Sequence, residues 1–160
     1  MNWLEVCENK SLQNLPFKIE LDESGKIIMS PVRVNHSAYQ GEISYLLRSM
    51  LKHGRTLPEC AISTPKGTKV ADIAWASRER FIKIIRETEC SIAPEICVEV
   101  VSPGNTKDEI NEKKSLYFEA GAKEVWICSS DGNMRFYLPG KEVKRSVLIP
   151  DFPKKIELEF

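Results

Sequence analysis

The sequence predicts an α/β fold, because segments with the spacing of amphipathic helices alternate along the chain with short apolar segments typical of buried strands. The chain has 160 residues, of which 42% are hydrophobic. That length supports one compact hydrophobic core and is too short for two domains with a core each. We therefore interpret residues 1–160 as a single domain, without an internal repeat, linker or low-complexity segment.

The first predicted element is an N-terminal β-hairpin. Apolar stretches at residues 17–21 and 26–29 flank a segment that includes Asp22 and Gly25 and favours a turn. Pro31 is expected to end the second strand, because proline lacks the amide hydrogen that would continue a ladder.

An amphipathic helix is predicted next, over residues 35–51, with Asn35 as its N-cap and His53 and Gly54 closing it. Its apolar side chains recur every three or four positions, as a helix with one buried face requires. They are Tyr39, Ile43, Leu46, Leu47 and Met50.

Two short apolar segments, residues 70–76 and 96–101, are predicted to be buried strands. Each contains one carboxylate, Asp72 in the first and Glu99 in the second. An unpaired buried charge costs several kcal/mol or becomes neutral, so each carboxylate needs a partner. A structural ion pair, a solvent-facing strand end and a functional site all satisfy that requirement.

A second helix is predicted over residues 106–120. Thr106 with Glu109 three positions later forms a capping-box signature, and Gly121 supplies the stop. Lys113 falls inside the apolar stripe of this helix, so its ammonium either extends outward along its stem or meets a carboxylate. Because the helix packs back on the sheet after the second strand, Lys113 is expected to reach the neighbourhood of Glu99.

The remaining predicted elements are two strands, residues 125–128 and 134–138, joined as a hairpin by the turn at 130–133. Beyond them lie five basic residues that form either a basic patch or a solvated strand face: Lys141, Lys144, Arg145, Lys154 and Lys155.

Composition narrows the classes of function. The 23 Lys and Arg residues balance the 23 Asp and Glu residues, so no global field attracts polyanions. The five cysteines are odd in number and form no C-x-x-C pair, which argues against a disulfide framework and a zinc site. Without a leader-like or membrane-length apolar segment, we expect a cytoplasmic protein with no membrane partner.

Two carboxylates and a lysine converging at one sheet edge have the chemistry of metal-assisted phosphodiester hydrolysis. Hard oxygen ligands hold Mg²⁺ or Mn²⁺, while a lysine orients water or offsets charge on phosphate oxygens. Alternatives also fit Asp72, Glu99 and Lys113, namely a purely structural charge cluster and paired carboxylates doing acid and base work, as in a glycosidase.

The sequence also resembles a known family. Its segments MSP, VADIAW, PEICVEVVSPGNT and EKKSLYFEAGAKEVWI, with His36 on the intervening helix, are similar to the Uma family of bacterial restriction-endonuclease-like proteins, within the PD-(D/E)XK nuclease superfamily. The similarity runs from about Gly25 to Ile127. It implies a restriction-endonuclease-like fold, with a mixed central β-sheet flanked by helices.

The resemblance also implies roles for individual residues. Asp72 corresponds to the first metal-binding aspartate of the superfamily, and Glu99 corresponds to the second acidic ligand. The usual lysine two residues after that glutamate is absent, since Val101 stands there. Lys113 matches the lysine that the family carries on the following helix. The first long helix offers three accessory candidates, which are His36, Gln40 and Glu42.

The function that the resemblance implies is Mg²⁺- or Mn²⁺-dependent cleavage of DNA, with a homodimer where both strands are cut. Ala71 departs from the family pattern, which has proline before the aspartate. The alternative is a noncatalytic nucleic-acid-binding or assembly module that retains the nuclease fold, favoured by the neutral net charge.

Overall fold

The protein is built on a six-stranded sheet and a separate two-stranded hairpin, in a computed structural model that describes residues 1–159. Along the chain, its elements are α1 (Trp3–Glu8), a 3-10 turn (Lys10–Leu12), β1 (Phe17–Leu21), β2 (Ile27–Pro31), α2 (Val34–Met50), β3 (Arg55–Thr64), β4 (Gly67–Ala76), α3 (Arg78–Ile84), β5 (Ile96–Val100), α4 (Lys107–Glu119), β6 (Glu124–Cys128), β7 (Met134–Leu138) and β8 (Lys141–Val143).

The large sheet contains β3 to β8 side by side in chain order. Every neighbouring pair is antiparallel except β5 and β6, which are parallel. A parallel pair needs a long crossover, and α4 supplies it between these two strands. The mixed sheet, its flanking helices and the N-terminal hairpin confirm the predicted fold class.

Alternation along β5 divides the core between the two faces of the sheet. Ile96, Val98 and Val100 belong to a cluster with the buried side chains of α2. Cys97 belongs to a second cluster, which contains Tyr117 of α4. Glu99 has the same parity as Cys97, so its side chain lies on the face that α4 covers.

The hairpin is docked against the beginning of β4. Gly67 has a φ of +89°, and a Cβ at this position would lie 2.3 Å from the carbonyl oxygen of Asp22. Lys69 donates a hydrogen bond to the carbonyl oxygen of Leu21, with Nζ 3.0 Å away. Close backbone approach therefore brings β1 beside the strand that carries Asp72.

The predicted elements agree with the structure, apart from several boundaries. The prediction of Asn35 as an N-cap is wrong, because α2 begins at Val34 and Arg33 stands at the cap position without a side-chain hydrogen bond. The predicted capping box of α4 is confirmed, since Thr106 Oγ1 accepts from the amide of Glu109 and the Glu109 carboxylate accepts from the amide of Thr106.

Five elements are absent from the predicted set. They are α1, the 3-10 turn, β3, α3 and β8, and each lacks the long apolar period that predicts the others. β3 is an edge strand that contains Pro58 and exposes several polar residues, and β8 has three residues. The five basic residues near the C-terminus are exposed, which fits both interpretations of them. No helix in residues 1–159 is long and apolar enough to cross a membrane.

The capping box of α4 gives a first prediction. Replacing Thr106 with Ala should lower the free energy of unfolding by about 1 kcal/mol, because the amide of Glu109 loses its acceptor at the helix N-terminus. Urea denaturation of the wild-type protein and the variant would measure the difference. Thr106→Ser keeps the hydroxyl and should restore most of the stability, whereas equal losses in both variants would contradict the capping argument.

Candidate active site

Asp72 and Glu99 stand where β4 and β5 stop pairing. The ladder between these strands reaches Ile73 opposite Val98, and Asp72 and Glu99 occupy the next positions. The amide of Val100 donates instead to Oδ2 of Asp72, at 2.8 Å. Both carboxylates are buried, with exposures of 2% and 3%. The separating strands thus open a polar space within the sheet.

The ladder on the other side of Asp72 is also interrupted. Glu59 of β3 lies across from Asp72, but this pair is missing from the β3–β4 register. Glu59 has a φ of +51°, in the left-handed region, which costs a non-glycine residue roughly 1–2 kcal/mol. Such strain is concentrated at functional sites, and Glu59 lines the same cavity as Asp72.

Lys18 of the hairpin bridges the two carboxylates. Its Nζ lies 3.0 Å from Oδ1 of Asp72 and 3.5 Å from Oε2 of Glu99. The side chain is only 14% exposed, so these ion pairs are poorly screened by water. A single ammonium therefore offsets charge on both carboxylates.

A second ion-pair network joins Glu99 to α4. Oε1 of Glu99 accepts a hydrogen bond from the hydroxyl of Tyr117 at 2.5 Å and lies 3.5 Å from Nζ of Lys113. Lys113 is closer to Glu20, at 2.8 Å from Oε2, and this oxygen also accepts from the amide of Val70. Lys113 therefore lies near Glu99, as the sequence predicts, and its ammonium also pairs with Glu20.

Burial and these neighbours separate the pKa values of the two central carboxyls. Burial favours the neutral acid of Asp72, but the hydrogen bond from His36 and the charge of Lys18 hold its pKa below the ordinary value. Burial and the charge of Asp72 raise the pKa of Glu99 to about 7, although Lys113 and Lys18 oppose the shift. At neutral pH, Asp72 is ionised and Glu99 is near its midpoint.

The hairpin residues remain charged despite their burial. Burial opposes the positive charge of Lys18, yet Glu99 and Asp72 keep its pKa above the ordinary value. Burial likewise opposes ionisation of Glu20, while Lys113 and Lys18 lower its pKa. Ion pairing outweighs desolvation for both groups, so each remains in its charged form.

The three accessory candidates on the first long helix lie at different distances from the site. His36 lies at the start of α2, with Nε2 3.2 Å from Oδ2 of Asp72, and this hydrogen bond raises its pKa although burial opposes the shift. Gln40 lines the cavity one helical turn farther on. Glu42 is outside the set of side chains that line it.

The carboxylates open into a cavity of about 490 Å³ between the hairpin, α2 and α4. Six carboxyl side chains line it, together with four Lys or Arg side chains and His36. The acidic residues are Glu20, Glu59, Asp72, Glu99, Glu109 and Glu112, and the basic residues are Lys18, Arg33, Lys69 and Lys113. Carboxyl groups are therefore the most numerous ionisable groups of the lining, and their oxygens suit a hard cation.

Comparison with known proteins identifies the family. A model of the Uma2 family, described as "Putative restriction endonuclease", matches residues 6–155. The chain belongs to the Uma2 family. The match covers most of this chain and confirms the resemblance seen in its sequence motifs. No curated protein matches it.

A solved structure supports the Uma2 fold. The match is the crystal structure of "a putative nuclease belonging to DUF820" from Anabaena variabilis ATCC 29413, with a TM-score of 0.65 and 24% sequence identity. The alignment covers 78% of this Uma2 chain and 73% of the other chain. At that identity, the similarity establishes the shared fold.

The charged residues at this Uma2 site that the sequence did not predict include Lys18, Glu20 and Glu59. Lys18 and Glu20 alternate with apolar Phe17, Ile19 and Leu21, which is the ordinary pattern of a strand with one solvated face. Their burial arises only when the hairpin docks on β4. Glu59 gave no signal, because a non-glycine residue with positive φ is not marked by its residue type.

The donor set fits a hard divalent cation with few protein ligands. No group of three or more His, Cys, Asp or Glu side chains within residues 1–159 is arranged to hold a metal ion. Mg²⁺, however, commonly keeps several waters and binds through one or two carboxylates. Asp72 and Glu99 meet that requirement, since one oxygen of each already faces a cationic ammonium.

The raised pKa of Glu99 predicts how stability changes with pH. Its pKa is about 7 in the folded chain, above the ordinary glutamate value of 4.5 that applies to the unfolded chain. The raised pKa of Glu99 therefore contributes fully to the free energy of unfolding below about pH 4.5. This contribution, on the order of 3 kcal/mol in total, is lost as the pH rises through 7. Urea denaturation at about pH 5.5 and pH 8 would measure this decrease.

Glu99→Gln provides the matched comparison, because it removes the titrating group and keeps a hydrogen-bond acceptor for Tyr117. The variant should lose less stability than the wild-type protein between the two pH values. His36 titrates in the same direction in both proteins, and Asp72, which is unchanged in the variant, contributes more than Glu99 to its raised pKa. Equal slopes would contradict the assignment of a raised pKa to Glu99.

Proposed function

We propose that this Uma2 protein is a Mg²⁺-dependent endonuclease that hydrolyses DNA phosphodiester bonds. The observation that carries the proposal is the pair of buried carboxylates at the separation of β4 and β5, with cationic nitrogen within 3.0 Å of Asp72 and 3.5 Å of Glu99. The description of the Uma2 family as a restriction endonuclease family supports the same reaction class.

Asp72 and Glu99 would hold the cation. When bound, Mg²⁺ polarises the phosphate and lowers the pKa of the attacking water. His36 and the amide of Val100 fix Oδ2 of Asp72, and Tyr117 fixes Oε1 of Glu99. Carboxylates that are held in this way lose little conformational entropy when they bind a ligand.

The charge of the cavity supports a requirement for metal. A phosphodiester brings a negative charge to a cavity lined by six carboxyl groups, among which Asp72 is a permanent anion. A divalent cation would offset the charge of the ionised carboxylates and reduce the repulsion. The neutral net charge of the chain points the same way, because long-range attraction to DNA would be weak.

Lys113 is assigned to the charge that develops on the phosphate oxygens. Its ammonium lines the cavity between Glu20 and Glu99, at 2.8 Å and 3.5 Å. Two anchoring carboxylates restrict the position of a flexible side chain, which makes it an effective electrostatic stabiliser. It can also donate a hydrogen bond that orients the attacking water.

A noncatalytic module is the second candidate, favoured by one specific observation. Lys18, Lys113, His36 and Tyr117 already engage the carboxylates, so the cluster is electrostatically complete as a structural unit. A glycosidase receives no such support, because no Phe, Tyr or Trp side chain of the described residues lines the cavity. Metal binding separates the first two candidates, since a module of this kind does not require it.

Nicking of supercoiled plasmid at low salt tests the proposal directly. Purified protein should convert the plasmid to open circles with Mg²⁺ or Mn²⁺ and leave it intact with EDTA. Asp72→Asn, Glu99→Gln and Lys113→Met should each lower the rate by on the order of a hundredfold or more, because each removes a charge from the reacting centre.

Lys114→Met is the matched control for Lys113→Met. Lys114 is the next residue of α4, but its ammonium lies 3.9 Å from the centre of the Tyr137 ring and outside the cavity. This variant should keep the wild-type rate. Nicking that survives all three active-site substitutions would come from a contaminant, and the noncatalytic module would then be the better interpretation.

A further inference from the structure

Asp72 and Glu99 each have one carboxylate oxygen that is held by several neighbours and one that is not. Oδ2 of Asp72 is held by the amide of Val100 and by His36. Oε1 of Glu99 is held by Tyr117 and approached by Lys113. Among the described residues, the other oxygens, Oδ1 of Asp72 and Oε2 of Glu99, face a single group.

That group is the ammonium of Lys18, which lies 3.0 Å from the first oxygen and 3.5 Å from the second. A divalent cation shared by Asp72 and Glu99 would use the same two oxygens, because the opposite oxygens are already engaged. Two cations cannot occupy that space together, since contact would carry strong repulsion in a poorly solvated site.

We propose that the Lys18 ammonium occupies the cation position of the metal-free protein, and that a divalent metal ion must displace it, so that Lys18 sets the metal affinity. The inference rests on the proposed function, because it assumes that Asp72 and Glu99 bind metal. Lys18 is thereby an internal competitor, and it keeps the carboxylates compensated until metal arrives.

The position of Lys18 in the fold allows this exchange. Its side chain lines the cavity from β1, and a lysine has a flexible four-carbon stem that can redirect its charged end. Displacement would leave the ammonium within the cavity, where an anionic substrate group could become its new partner. The same residue would then compensate carboxylates without metal and phosphate with metal.

Lys69 offers a matched comparison within the same cavity. It is a buried lysine that also lines the wall, but its Nζ donates to the carbonyl oxygen of Leu21 and forms no ion pair within residues 1–159. Removing its charge changes the general potential of the cavity without vacating the position between Asp72 and Glu99. The comparison therefore separates occupancy from overall charge.

The test measures Mn²⁺ binding by isothermal titration calorimetry for the wild-type protein, Lys18→Met and Lys69→Met, at about pH 8 and fixed ionic strength. Lys18→Met should bind Mn²⁺ roughly tenfold more tightly than the wild-type protein, because the competitor is gone. Lys69→Met should change the affinity by less than about threefold. Without metal, Lys18→Met should be less stable, and Mn²⁺ should raise its Tm more than that of the wild-type protein.

Unchanged or weaker binding by Lys18→Met would overturn the inference, as would equal tightening in both variants, which would indicate a general charge effect. The proposed function survives those outcomes as long as the wild-type protein binds Mn²⁺. If neither the wild-type protein nor Lys18→Met binds Mn²⁺, both the inference and the metal-dependent function fail.

A second measurement uses the wild-type protein, so it does not depend on the folding of a variant. Reductive methylation followed by mass spectrometry reports how accessible each lysine amine is. Lys18 should be modified slowly in EDTA, where it is 14% exposed and ion-paired, and several-fold faster with saturating Mg²⁺. Lys69 should react at the same rate in both conditions. An unchanged rate at Lys18 would overturn the displacement.

Discussion

Compensation of buried charge is the constraint on which the rest of the structure depends. Asp72 and Glu99 lie almost without solvent contact inside the large sheet. Taking a carboxylate out of water costs several kcal/mol even after relaxation, unless cations and donors surround it. The chain meets that cost with groups from three directions: Lys18 from the hairpin, His36 from α2, and Lys113 with Tyr117 from α4. The helices and the hairpin are consequently tied to one point.

The same arrangement gives the two central carboxyls different properties. Asp72 has a depressed pKa and two fixed neighbours at one oxygen, so it is a permanent anion of defined orientation. For Glu99, burial and the charge of Asp72 act in the same direction, and its pKa of about 7 lies in the range where a small change of local charge alters protonation. An added cation would therefore favour the ionised form of Glu99, which couples occupancy of the site to its own charge state.

Sequence reasoning succeeded where a residue conflicted with its own local pattern. Asp72 and Glu99 interrupt apolar strands, and Lys113 interrupts an apolar helical stripe, so the sequence alone implied that each needed a partner. It failed for Lys18 and Glu20, because their alternation is normal for a half-exposed strand and the covering contact involves residues about fifty positions away. Tertiary docking, rather than local preference, made them part of the site.

Gly67 shows how a residue without a side chain can control the chemistry of others. Its missing Cβ lets the turn of the hairpin lie directly on the backbone at the start of β4. Any larger residue would lift β1 and move Lys18 and Glu20 together, even though no contact of their own had been altered. A substitution at Gly67 would therefore change the electrostatics of the site without changing any charged residue. A comparison of the charged residues in Uma2 relatives would not reveal such a difference.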